Sequence, residues 1–312
     1  MRPVIRPGFR VFRRNPHQLQ FGTSGDDCVV VGDRPGLVAL LRLLDGTRDL
    51  ATVACLAHDR IDALADDPES LLAALAHEGI VVDGSSNDVV EPALEAEARS
   101  LVAQRLAPAE ITDRFVRRSQ SCVEVRADPP VEPIVTAMTD CLRESGIRTT
   151  RVADTLATVT LVVGSGPSDR AIFTRLRRDN MPHLVVVADG PRVVIGPFVY
   201  PGLTPCTQCL DLWRHGWDPS WAAVTPQLDA PLADACGDDG HSTAAPTRFA
   251  AAAVVTHELT AFCDEVTPQT SARTITIGPD LHERAERATA FHPHCQCRAG
   301  RAPVAGLADP TQ

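Results

Sequence analysis

The apolar positions change period along the chain, and the changes divide it. In residues 1–88, two short apolar runs, Leu19 to Phe21 and Cys28 to Val31, flank the turn-forming GTSGDD and predict a hairpin. Leu37, Leu40, Leu41 and Leu44 then recur at helical spacing until Asp45-Gly46. A second helix follows Thr47 on Leu50, Val53 and Leu56. Asp67-Pro68 supplies a cap and a first-turn proline for a third helix, with Leu71, Leu72 and Leu75 on its apolar face. Gly79 ends it before a short strand, Ile80 to Val82. Residues 89–120 predict a helical connector. Leu94, Leu101, Val102 and Leu106 share one face from about Glu91, Pro108 ends that helix, and Ile111 and Phe115 mark a further turn or two.

From residue 121 to 301 the pattern alternates between strand and helix. CVEVR reads as a strand, Ile134 to Leu142 as a helix, and Arg148 to Val152 as a short strand. TVTLVVGSG is a buried strand with its turn, Ala171 to Arg178 a helix, and HLVVVAD and RVVIGP are adjacent strands split by Gly190-Pro191. Continuous apolar runs such as Leu161 to Val163 suit central strands covered on both faces. An alanine-rich buried helix from about Pro246 to Cys263 and a strand RTITIG follow. The plan is α/β and Rossmann-like. Residues 302–312 read as a disordered tail.

Charge narrows the partners. A net charge of −10 and a pI near 5.4 argue against a nucleic-acid footprint, which needs a basic patch. No apolar run has the length of a membrane span, and MRPVIRPGFRVFRR lacks the apolar core of an export signal, so a cytoplasmic location is expected. The ten cysteines are accordingly read as thiols. Cys28, Cys55, Cys141 and Cys263 sit among apolar neighbours and read as buried.

Four other cysteines form two close pairs, Cys206-x-x-Cys209 after the Gly- and Pro-rich GPFVYPGLTP, and Cys295-x-Cys297 in FHPHCQC. Two close thiolate pairs suit the four corners of a tetrahedral Zn²⁺ site, because sulfur is a soft ligand. Four sulfurs leave no open position for a reactive water, so the expected zinc is structural, tying the chain together across about ninety residues. Unrelated reduced thiols are the plain alternative. His292 and His294 flank the second pair and could replace a cysteine ligand.

The order β-β-α-α-α-β in residues 1–88 is a winged-helix pattern. Its helices carry Asp59, Asp62, Asp66, Asp67 and Glu69, which would repel a duplex. The hairpin, LLRLLDGTRDLATV and the ending LLAALAHEGIVVDG resemble the peptide-recognition domain of ribosomal-peptide biosynthesis, also seen in the small pyrroloquinoline-quinone assembly chaperone. The resemblance implies that a leader peptide adds as a strand to the hairpin edge, placed here at Leu19, Gln20 and Phe21, and packs on a helix near Leu71, Leu72 and Leu75. Taken alone, the leucines read as core.

LVVVADGPRVVIGPFVYPGLTPCTQCLDLW, DPSW after it and HPHCQC near the end resemble the ubiquitin-activating-type, ThiF-like superfamily. Within it they look most like the partner proteins of YcaO-type cyclodehydratases, which make thiazole- and oxazole-modified peptides. The resemblance implies a leader-binding winged helix followed by a degenerate activating-enzyme domain, with Cys206, Cys209, Cys295 and Cys297 as zinc ligands. It also implies a peptide or protein substrate and a YcaO-type enzyme as partners. The connector suits a homodimer contact or a domain-packing element, and a plain linker helix explains its pattern equally well.

Departures from that pattern shape the functional expectation. The first strand of the α/β domain is followed by Ala-Asp-Pro-Pro, without the glycines of a phosphate loop and with two N–H donors lost to proline. Gly164-Ser165-Gly166 stands alone before Pro167 and reads as a turn. His257-Glu258 is followed by Ala261 where a zinc-protease helix needs its second histidine, and GSGPS does not fit a nucleophile elbow. Cys236 occupies the loop where active relatives carry a thioester-forming cysteine, but Asp234, Asp238 and Asp239 would raise its pKa. Trp213, Trp217 and Trp221 fall at helical spacing that Gly216 and Pro219 interrupt, and they read as packing around the cysteine knuckle. The expectation is a non-catalytic scaffold. Its competitors are an adenylating or thioester-forming enzyme using Cys236, and a stand-alone regulatory protein.

Overall fold

A computed structural model describes residues 1–23, 28–64, 68–85, 94–127, 131–152, 156–165, 170–224, 243–282 and 284–298. The chain divides into two compact units, Met1–Val116 and Arg117–Gln312. The segment read as a disordered tail lies outside the described residues.

The first unit has two small sheets. Strand β1 (Pro3–Ile5) pairs antiparallel with β5 (Val81–Asp83), in register Pro3 with Asp83. Strands β2 (Val11–Asn15), β3 (Gln18–Phe21) and β4 (Val29–Gly32) form an antiparallel sheet in the order β2-β3-β4. The hairpin expected from sequence is β3–β4; β1 and β2 are additions. Every residue of β2 is exposed, so its VFRRN carries no period-two burial signal. Helices α1 (Leu37–Leu41), α2 (Leu50–Arg60) and α3 (Pro68–His77) follow in the expected places. Asp49 caps α2, its carboxylate accepting the Thr52 backbone N–H at 2.7 Å. The core joins Leu19 and Phe21 of β3 to Leu37, Leu40, Val53, Ala57, Leu72, Leu75 and Ile80.

Helix α4 (Glu95–Ala103) and the 13-residue α5 (Pro108–Gln120) cover the connector, and α5 runs across the division between the units. Pro108 opens α5 as well as following α4, because a first-turn proline gives up only an N–H that has no helical partner. Leu101, Val102 and Ile111 are buried together against Val82, Leu106 and Phe115 of the first unit.

The second unit is built on a seven-stranded mixed sheet in the order β12-β11-β10-β9-β8-β6-β7. Strands β7 (Arg148–Thr150), β6 (Cys122–Ala127), β8 (Val159–Gly164) and β9 (His183–Asp189) run parallel; β10 (Arg192–Val199), β11 (Arg273–Ile277) and β12 (Arg284–Ala288) continue antiparallel. All six residues of β8 are buried, as its continuous apolar run required. One face of the sheet packs on α6 (Glu132–Glu144) and α10 (Ala245–Cys263), whose Ala251 and Ala252 let the helix approach closely. On the other face, Phe173 and Leu176 of α7 (Arg170–Arg178) cover Val162 and Val185.

Two buried polar devices fix this unit. Arg118 donates a fork to Asp264, Nε to Oδ1 at 2.8 Å and Nη2 to Oδ2 at 2.7 Å, with both side chains almost fully buried. Glu258 accepts the Thr270 backbone N–H at 2.8 Å and the Thr270 hydroxyl at 2.6 Å, so its carboxylate is engaged in the core, while His257 is exposed. In β10 the register shifts between Ile195 and Phe198. Gly196 there has φ +99°, and a Cβ would lie 2.9 Å from the Arg273 carbonyl oxygen, so the bulge requires glycine.

Candidate metal centre and adjoining surfaces

Strand β10 delivers the chain through a turn into α8 (Thr207–Trp217), and Cys206 is the extended residue that precedes the helix. Its carbonyl accepts the Cys209 N–H at 3.0 Å, so the first helical turn sets both thiols on one side. Cys295 and Cys297 come from a tight turn near residue 298, where the Cys295 N–H donates to the His292 carbonyl at 2.9 Å. Val199 and Phe291 pack around the four thiols.

All four sulfurs lie within 4.8 Å of one another. The individual separations are 3.9 Å for Cys206–Cys209, 3.7 Å for Cys206–Cys295 and 3.6 Å for Cys209–Cys297. Disulfide sulfurs stand about 2.05 Å apart, so these are unbonded thiols. A tetrahedron with metal–sulfur bonds of about 2.3 Å has edges of about 3.8 Å, which is the spacing observed. The cluster therefore has the donor set and the size to hold a four-coordinate metal ion. Thiol hydrogen bonds from Cys206 and then Cys297 drive Cys209 strongly towards thiolate, while hydrogen bonding within the cluster and burial raise Cys206 and Cys297. A cation at the centre would favour four thiolates together.

The flanking histidines are occupied elsewhere. His292 meets the Trp213 ring edge-on at 4.7 Å, and its Nδ1 accepts the His294 backbone N–H at 3.2 Å. Gln208 Oε1 accepts from the Cys295 thiol at 3.6 Å. Of the three tryptophans, Trp221 on α9 (Trp221–Val224) is buried beneath the Arg214 guanidinium at 3.5 Å, whereas Trp213 and Trp217 are exposed on α8. They wall a groove of about 1000 Å³ floored by Val185, Val187, Val194 and Thr274. Packing around the knuckle accounts for Trp221 and for Trp213, whose indole N–H donates to the Ala290 carbonyl at 3.1 Å. It does not account for Trp217, which sits under Arg287.

The residues assigned to peptide binding need one correction. Leu19, Gln20 and Phe21 do not form an edge: β3 is the central strand, with Gln20 opposite Phe12 on one side and Val30 on the other. The Gly22 N–H donates to the Arg10 carbonyl and the Asp33 N–H to the His17 carbonyl, which fixes the alternation of hydrogen-bonded pairs. It follows that the Gln20 N–H faces β2, while the N–H and C=O of Val30 point away from β3, along an edge that no described strand covers. Leu19, Phe21, Leu72 and Leu75 are buried core, and Leu71 is partly buried. Cys55 also departs from expectation, being exposed on α2 with its thiol 3.7 Å from Asp59; Cys263 is buried, and Cys28 and Cys141 are intermediate. Cys236, the Asp-Pro-Pro after Ala127 and Gly166-Pro167 lie outside the described residues.

Among the described residues no helix is long and apolar enough to cross a membrane. No protein-family model matches the chain, and no curated protein matches it by sequence. Solved structures do match. A heterocyclase in complex with substrate and cofactor has a TM-score of 0.67 at 18% identity, over 95% of this chain and 39% of that one. The heterocyclase TruD has a TM-score of 0.65 at 20% identity, over 95% and 42%. E. coli MccB with ATP has a TM-score of 0.60 at 13% identity, over 95% and 99%. The chain thus shares its fold with these proteins and spans about two fifths of the heterocyclase chains.

Proposed function

We propose that the protein serves the maturation of a ribosomally made peptide as a non-catalytic scaffold. In this reading residues 1–88 are a winged-helix peptide-recognition domain that takes a leader peptide as an added strand. Residues 121–301 are a Rossmann-like, ubiquitin-activating-type domain closed by a structural Zn²⁺ on Cys206, Cys209, Cys295 and Cys297, and they present the peptide to a YcaO-type cyclodehydratase. The observation that carries the reading is the open edge of β4. Val30 offers an outward N–H and C=O, and Val29 and Val31 join the core that contains Leu71, Leu72 and Leu75. An edge with outward main-chain groups beside an apolar helix is what strand addition uses. The fold shared with two heterocyclases supports the pathway.

A second reading, an ATP-dependent adenylating or thioester-forming enzyme using Cys236, is favoured by the match to MccB, a structure that holds ATP and is covered at 99% of its length. Two measurements on the full chain separate them. A candidate precursor peptide, sought among the neighbouring genes, is titrated by fluorescence anisotropy, and ATP–pyrophosphate exchange is followed with the same peptide. Binding without exchange supports the scaffold. Exchange supports an adenylating enzyme, and a peptide thioester that forms on the wild type but not on Cys236→Ala assigns the next step to that thiol. Neither binding nor exchange rejects both and leaves the stand-alone regulatory reading.

A further inference from the structure

On the side away from β4, the three-stranded sheet of the first unit ends on β2, which pairs with β3 alone among the described strands. The Gly22 N–H donates to the Arg10 carbonyl, so Arg10 and, two residues on, Phe12 turn their main-chain groups towards β3. Val11 and Arg13 alternate with them and hold their N–H and C=O outward, the spacing at which an added antiparallel strand is bonded.

The side chains along this edge are basic and aromatic. Residues 1–25 contain five arginines and no acidic residue, in a chain of net charge −10. Arg10 and all five residues of β2 are exposed. Arg13 pairs with Asp33, whereas Arg10 and Arg14 have no ion pair among the described residues. Asp26 and Asp27 of the β3–β4 turn lie outside the described residues. Phe12 is 40% exposed and lies opposite Gln20, which lies opposite Val30 at 37%. Leu19 and Phe21 face the core, so Phe12, Gln20 and Val30 share the solvent face as one stripe across the sheet. Charges on an edge deter pairing, but arginines alone deter only a basic strand; opposite charges across a strand pair attract.

We propose that the β2 edge docks an extended acidic segment of a partner protein. The segment adds as a strand on the main chain of Val11 and Arg13, with carboxylates beside Arg10 and Arg14 and an apolar side chain on Phe12. A peptide suits this unit better than nucleic acid, because its helices expose Asp59, Asp62 and Glu69. The inference is separate from the leader-peptide reading, which uses β4. The probe is an array of synthetic peptides of about ten residues combining Asp and Glu with Val, Ile, Thr and Phe, beside the same peptides with Lys in place of the acids. Full-length protein is bound to the array, and the tightest acidic peptide is titrated by fluorescence anisotropy. It should bind where its Lys counterpart does not. Affinity should fall at least about tenfold in Val11→Pro and about fivefold in Arg10→Gln combined with Arg14→Gln, and stay within about twofold in Val30→Pro. Failure of every acidic peptide to bind, undiminished binding to the double variant or to a folded Val11→Pro, a loss in Val30→Pro as large as in Val11→Pro, or tighter binding of a random-sequence DNA duplex would overturn the proposal. The double variant changes only exposed side chains, so it decides the matter if Val11→Pro does not fold.

Discussion

The four-thiol cluster and the open edge of the first unit's sheet are candidate sites made from opposite materials. The cluster is all side chain: four sulfurs converge from positions up to 91 residues apart, and the backbone only sets their directions. The edge is all main chain: Val30 contributes an N–H and a C=O that any residue but proline would supply. A side-chain site is lost with one atom and is indifferent to strand order. A main-chain site tolerates most side chains and depends wholly on which strand is outermost.

Four substitutions sharpen that contrast, and the largest effect is expected at the cluster. Cys297→Ser should reduce the metal content from about one ion per chain to near none and lower the melting temperature by about 10 °C or more, because metal binding is part of the folding free energy. Elemental analysis and calorimetry read both, and a metal-free wild type of unchanged stability would break the comparison. Gln20→Pro comes next. It removes the N–H that faces β2 inside the sheet and leaves a carbonyl unpaired, so urea unfolding should show a loss of about 1–3 kcal/mol. Val30→Pro removes only an outward N–H. It should cost less stability than Gln20→Pro and weaken precursor-peptide binding about tenfold, or ~1.4 kcal/mol. Equal loss of stability in the two proline variants would mean that the edge is not where the register puts it. The smallest effect is expected from Val30→Thr, which keeps the N–H and the β-branched shape; affinity within about twofold of wild type would mark the main chain as the contact.

The sequence showed the cluster and hid the edge for one physical reason. Thiolate pairs are written in residue type and spacing, so Cys206, Cys209, Cys295 and Cys297 could be chosen before any coordinates. Continuous apolar runs likewise exposed β8 and β9, and helical spacing exposed α1 to α3. Strands without a buried side chain leave no such trace. β2 and β12 are exposed at every residue, and β12 is held by its ladder to β11 and by cross-strand ion pairs such as Arg273–Glu286 at 2.8 Å. Missing β2 turned β3 from a central strand into an edge, and that moved the candidate edge by one strand.

The separation of the two cysteine pairs also sets a schedule. On a ribosome adding about 5–20 residues per second, Cys206 and Cys209 emerge roughly 4–18 s before the partners 88 and 89 positions further on. During that interval the nascent domain has two corners of its clasp, with α10, β11 and β12 still to be made. If the cluster holds a metal, its closure waits for the second cysteine pair, and metal shortage would leave chains with all four thiols made and the clasp open.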